Sequence, residues 1–222
     1  MDIKKSNYIK LIAIITMFID HMGVILFPQH ILFRIIGRIA FPLFAYQIGI
    51  GYAHTKSFTK YILRLLLFGI AIQLFYICSV YFFNVSQDPW HFNIFFTLTL
   101  GLLAVHLYNK KEHAFLLVLL FFIAGSLSML KPFGVTLDYG IYGVLLILVL
   151  YIEKDLRRLA VYVAILSFIF GNFSSGNIQI YCVLSMLFIA FPLSLKIRIP
   201  GYVFYIFYPA HLVLLYAIGM LI

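Results

Sequence analysis

The chain reads as an all-α protein, a polytopic transmembrane helical bundle of about nine spans with a cytoplasmic N-terminus. Three observations predict this. Hydrophobic residues make up 64% of the sequence, charged residues only 10%, and mean hydropathy is +1.08, a composition suited to lipid rather than water. Apolar runs alternate with short polar breaks over all 222 residues, so residues 1–222 read as a single integral membrane domain. Finally, 13 of the 16 Lys and Arg fall in the N-terminal head or in alternate loops, the asymmetry that orients membrane proteins with their basic side inward.

The elements follow in order. Span 8–27 comes after the basic head of Lys4, Lys5 and Lys10. A signal peptide opens in a similar way, but this apolar run is long, holds Asp20-His21 and lacks a small-residue cleavage site, so it reads as a retained first span. Span 31–54 follows after only Pro28-Gln29-His30, which forces an antiparallel hairpin. Span 60–83 opens on the inward basic residues Lys56, Lys60 and Arg64. Span 93–108 begins outside with Asn93, then Thr97 and Gly101 at four-residue spacing. Span 114–131 separates Lys110-Lys111 from Lys131, and 136–152 carries Asp138 and, one turn deeper, Tyr142. Span 158–171 follows Lys154, Arg157 and Arg158; then come 178–194 and 201–221, the last after Lys196 and Arg198. Many of the 24 Phe and 16 Tyr lie near span ends, as an interfacial belt requires.

Several classes are excluded. The net charge of +9 is accounted for by inward loops and gives no reason to expect a nucleic-acid partner. Cys78 and Cys182 lie within spans without CxxC spacing, so neither a disulfide nor a metal site is expected.

Chemistry concentrates at one depth. Asp20 and His21 sit about 10 Å below the outer end of the first span, where a carboxylate costs roughly 2.5–3.5 kcal/mol. Arg38 re-enters at nearly the same depth, with Arg34 four residues earlier on the same face; Phe41, Ala45 and Gly49 continue that stripe. The ninth span brings His211 to mid-membrane, with Tyr208 one turn before it and Pro209 loosening the helix. Together with Gln73, Asn93, Thr97, Asp138 and Tyr142, these groups are expected to line one polar cavity between spans 1, 2, 4, 6 and 9. His21 would serve as general base or transient acyl carrier, Asp20 would balance Arg38, and His211 would assist. The same inventory suits either an acyltransferase or a proton-coupled transporter. Transporters commonly show two related halves, which an odd span count without internal repeats does not offer.

The order and spacing of several segments are specific. They are Ile19-Asp20-His21-Met22-Gly23, Ile36-Gly37-Arg38-Ile39-Ala40-Phe41-Pro42-Leu43-Phe44, Lys60-Tyr61 with Arg64, and Gln73. Then follow Asn93-Ile94-Phe95-Phe96-Thr97-Leu98 with Gly101, Asp138-Tyr139-Gly140 with Gly143, and Phe207-Tyr208-Pro209-Ala210-His211-Leu212. From end to end the chain resembles the TraX family, named for a conjugation protein associated with acetylation of the pilin N-terminus and distantly similar to the acyltransferase-3 membrane enzymes. It departs at Leu74-Phe75, near which relatives are expected to carry a proline.

The resemblance implies a multi-pass protein of the bacterial inner membrane that transfers acetyl from cytosolic acetyl-CoA, with no metal. The acceptor would be a peptide N-terminus or surface glycan reached from the membrane or the outer side. Because CoA is polyanionic, Lys56, Lys60, Arg64, Lys196 and Arg198 are the candidates for its phosphates.

Overall fold

The computed structural model describes residues 3–83, 90–171, 177–194 and 199–221. They are almost entirely helical. The helices are α1 (Ile3–Ile25), α2 (Ile31–Gly37), α3 (Ala40–His54), α4 (Phe58–Phe83), α5 (Ile94–Asn109) and α6 (His113–Leu130). After them come α7 (Gly140–Ile152), α8 (Leu156–Ile169), α9 (Ser185–Ala190) and α10 (Tyr202–Gly219). Two strands of two residues each, β1 (His91–Phe92) and β2 (Thr136–Leu137), pair in parallel.

Among the described residues, five segments are long and apolar enough to cross a membrane: Ser6–Ile25, Ile31–His54, Phe58–Cys78, His113–Phe133 and Tyr202–Gly219. Ile94–Asn109, Gly140–Ile152 and Ile178–Ala190 are apolar but shorter. This is a membrane protein. Its α6 turns Phe115, Leu117, Val118, Phe121 and Phe122 outward, an apolar face that lipid would cover.

The stripe expected to run unbroken from Arg34 to Gly49 is interrupted. The helix ends at Gly37, turns tightly through Arg38 and Ile39, and restarts at Ala40. Pro42 is the cause, since it has no N–H for the carbonyl four residues back and its ring crowds that carbonyl. That carbonyl belongs to Arg38, and the thiol of Cys182 donates to it instead, at 3.1 Å.

The expected span 178–194 also differs. Residues Ile178–Leu184 form a 3-10 helix that leads into the six-residue α9. A 3-10 helix rises about 2.0 Å per residue, so Ile178–Ala190 still extends about 23 Å.

By contact the chain divides into two compact units, one of Met1–Gln47 with Glu153–Ile222 and one of Ile48–Ile152. In the first unit α1 lies along α2 and α10, and the 3-10 helix 178–184 meets α2, α8 and α9. Two glycines permit the α1–α2 approach. A Cβ on Gly23 would sit 2.5 Å from Phe33 Cβ, and one on Gly37 would overlap the Asp20 carboxylate. In the second unit α5 is central, packed by α4, α6 and α7, and most of its residues are buried.

Candidate functional site

Asp20 is the anchor of the first unit. Its Oδ2 lies 2.7 Å from Arg34 Nη1, and its Oδ1 lies 3.2 Å from Arg38 Nη2. The Arg38 guanidinium is held on every side. Nη2 also reaches Oδ2 of Asp20 at 3.5 Å, Nη1 donates to Gln179 Oε1 at 3.2 Å, and Nε donates to the Arg34 carbonyl at 3.3 Å. Gln179 in turn donates to the Cys182 sulfur at 3.0 Å. Sequence reasoning missed Gln179. An isolated amide in an apolar run gives little signal until the fold sets it against Arg38.

Beside this clamp two histidines meet. Nε2 of His211 lies 3.1 Å from Nδ1 of His21, with ring centroids 4.8 Å apart. The Nδ1 of His21 also faces the Met17 carbonyl at 2.9 Å, and the Nδ1 of His211 faces the Phe207 carbonyl at 2.7 Å. A carbonyl oxygen only accepts, so each Nδ1 carries its hydrogen. The neutral His211 Nε2 is therefore an acceptor, and the His21 Nδ1–H is shared between it and the Met17 carbonyl. In the neutral pair this leaves His21 Nε2 with a lone pair and no hydrogen. Helical geometry imposes the arrangement, because each ring bonds the carbonyl four residues before it in its own helix. Phe207 stacks on His211 at 4.6 Å, and Tyr208 stands edge-on to both imidazoles, fixing the rings.

The remaining predicted cavity residues belong to the second unit. Asn93 caps α5 by accepting from the Phe95 N–H at 3.1 Å, and its amide donates to the Gly69 carbonyl and to Gln73 Oε1. Gln73 accepts from the Asn93 backbone and donates to the His91 carbonyl. The two amides thus tie α4 to the start of α5. The Thr97 hydroxyl donates to the Asp138 carbonyl, and Asp138 N–H donates to the Phe92 carbonyl at 2.9 Å, which closes β2 against β1. Tyr142 is buried nearby on α7.

The expected basic residues are exposed where described. Lys56 precedes α4, Lys60 lies in its first turn, and Arg64 stands 5.5 Å over the Tyr61 ring. Lys196 and Arg198 lie outside the described residues. A cavity of about 380 Å³ opens at the ends of α3, α5 and α7, lined by Tyr52, Thr55, Phe58, His106, Asn109 and Tyr151. There the Tyr52 hydroxyl lies 3.0 Å from His106 Nδ1, and Phe58 stacks on His106 at 3.7 Å. Among the described residues no group of three or more His, Cys, Asp or Glu is placed to hold a metal ion.

Long apolar helices carrying a half-buried carboxylate, two guanidiniums and a histidine pair define a membrane protein with a polar centre. The family follows from the whole sequence. The family model described as TraX protein matches residues 5–219, and the chain belongs to that family. It is 29% identical to the probable fimbrial assembly protein FimC of Dichelobacter nodosus, across 93% of this chain and 92% of that one. It is also 27% identical to an uncharacterized protein of Rickettsia prowazekii, across 72% of this chain and 63% of the other. No solved structure matches.

Proposed function

We propose that the chain is an inner-membrane acyltransferase, crossing the bilayer nine times with its N-terminus inside, that passes acetyl from cytosolic acetyl-CoA to an amine or hydroxyl. The observation that carries this reading is the His21–His211 pair, which presents an unprotonated imidazole nitrogen at the edge of a charged cluster. As the acceptor N–H or O–H attacks the thioester carbonyl, His21 Nε2 takes its proton. The imidazolium then moves its Nδ1 proton toward His211 Nε2, so both rings share the positive charge. Asp20, the preceding residue on the same helix, favours that charge and so favours the transition state in which the oxyanion forms opposite it. Collapse breaks the carbon–sulfur bond, and the departing thiolate of CoA takes the proton back from the pair. Acceptor, acetyl and proton balance with no other reagent.

Acetyl-CoA would arrive at the inner ends of α3, α5 and α7, where the cavity of about 380 Å³ adjoins the segment bearing Lys56 and Lys60. Arg64 lies one turn further along α4, while Lys196 and Arg198, the other basic residues expected to meet the phosphates, lie outside the described residues. Arginine and lysine pair with phosphate by charge-assisted hydrogen bonds. The naming of the Dichelobacter relative as a probable fimbrial assembly protein favours a subunit of a surface appendage as acceptor, with a surface glycan as the other class.

The test is mass spectrometry of membrane and surface material from cells with and without the protein. One acetyl group present only when the protein is made supports the reading and identifies the acceptor. Altered uptake of a solute with no acetyl difference would instead favour proton-coupled transport through the same histidines.

A further inference from the structure

The charges around Asp20 do not balance. One carboxylate faces two guanidiniums, and the other carboxylates described in this unit, Glu153 and Asp155, stand at the start of α8. Arg38 is committed to Asp20, Gln179 and the Arg34 carbonyl. Arg34 is not. Its Nη1 is on Asp20, while Nη2 and Nε have no partner among the described residues, and the side chain keeps 29% of its surface open. A guanidinium left with two open donors beside apolar surface calls for an anion.

Position narrows the anion. Arg34 is three residues into α2, about 4–5 Å along the helix from its start, which is the depth of headgroups rather than of the bilayer centre. Ile31, one turn before it on α2, is exposed, and so is Val24 of α1, next to the Gly23 against which the Arg34 side chain lies. At the same end Phe27 stacks on Phe33, with His30 edge-on to both rings. Arg34 therefore stands beside a surface that acyl chains would cover.

We propose that Arg34 holds the phosphate of an anionic membrane lipid, whose acyl chains lie along Ile31 and Val24. The Nη2 and Nε donors take two phosphate oxygens while Nη1 remains on Asp20. The lipid supplies the negative charge that the cluster lacks, and it places a headgroup beside His21. This site does not depend on the acyl-transfer reading.

The test is native mass spectrometry of the purified full-length protein in detergent, titrated with phosphatidylglycerol, phosphatidylcholine or inorganic phosphate. The wild-type protein is expected to retain one phosphatidylglycerol in preference to phosphatidylcholine. Arg34→Gln should weaken that binding at least ten-fold, and Arg34→Lys several-fold, because it keeps the charge and loses the fork. Arg157→Gln, an exposed arginine at the start of α8, should not change it. Since Asp20 keeps Arg38, the Arg34→Gln protein should fold; if it does not, Arg34→Lys decides. Equal affinity of wild type and variant would overturn the site, as would equal retention of phosphatidylcholine or binding of inorganic phosphate alone. Lipid binding without acetyl transfer would leave this site standing and defeat the transferase; transfer without lipid binding would do the reverse.

Discussion

Replacing Asp20 by Asn removes the only carboxylate of the clamp while keeping its shape. Arg38 Nη2 lies 3.2 Å from Asp20 Oδ1, and the two side chains are only 12% and 13% exposed. At that distance and an effective dielectric of 20, the gross attraction is about 5 kcal/mol. Removing one partner of such a pair leaves the other charge buried, at a cost of about 3–5 kcal/mol. Arg34 adds less although its contact is shorter, because its 29% open side chain can turn to water or headgroups, and such pairs contribute about 1 kcal/mol or less. A double-mutant cycle separates the two. Unfolding in mixed micelles is measured for Asp20→Asn, for Arg38→Met and Arg34→Met, and for each double variant. The expected coupling is about 2–3 kcal/mol for Asp20 with Arg38, and about 1 kcal/mol or less with Arg34. A coupling with Arg38 below about 0.5 kcal/mol, the error of additivity, would refute the clamp.

Three further outcomes are expected. Gly37→Ala should destabilise by roughly 1–3 kcal/mol despite alanine's better helix propensity, because the new Cβ meets the Asp20 carboxylate; a rise in thermal stability would show that α1 and α2 are not so close. Asn93→Leu leaves the Phe95 N–H and the Gly69 carbonyl without their partner and should lower stability by about 1–3 kcal/mol, read by melting temperature with acetyl transfer per folded molecule retained. Asp155 caps α8 by accepting from the Arg158 and Arg157 N–H groups, which hold its carboxyl below the ordinary carboxylate value. A depressed value means that the cap stabilises above the unfolded carboxylate's titration and is lost as pH falls through the lowered one. Hydrogen exchange at the first turn of α8 should therefore quicken in Asp155→Ala at neutral pH and match wild type in strong acid.

The α1–α2 hairpin was legible because two simple constraints met: a three-residue link, Pro28-Gln29-His30, and ionisable groups at matching distances from it. From those alone Asp20 falls opposite Arg34 and Arg38, as the structure places them. The break after Gly37 is marked in the sequence by Pro42, since a proline four residues on strips the Arg38 carbonyl of its helical donor. The 3-10 stretch at 178–184 had no such marker, because hydropathy measures apolarity and not rise per residue. His211 was visible as a mid-span histidine. That it would stand with His21 is the expectation of a shared cavity; their direct contact was not legible, because the 190 residues between them fix no distance. The pairing of β1 with β2 was likewise hidden, as two residues are too few for any alternation to show.

The central claim is that His21 moves the proton in acetyl transfer, and inverted membrane vesicles supplied with radiolabelled acetyl-CoA test it most directly. Label should enter membrane-bound material when the wild-type protein is present. His21→Gln, matched for folded protein, should slow this by roughly 10²–10⁴-fold, the contribution of a general base. Labelling by a folded His21→Gln protein at the wild-type rate would contradict the account.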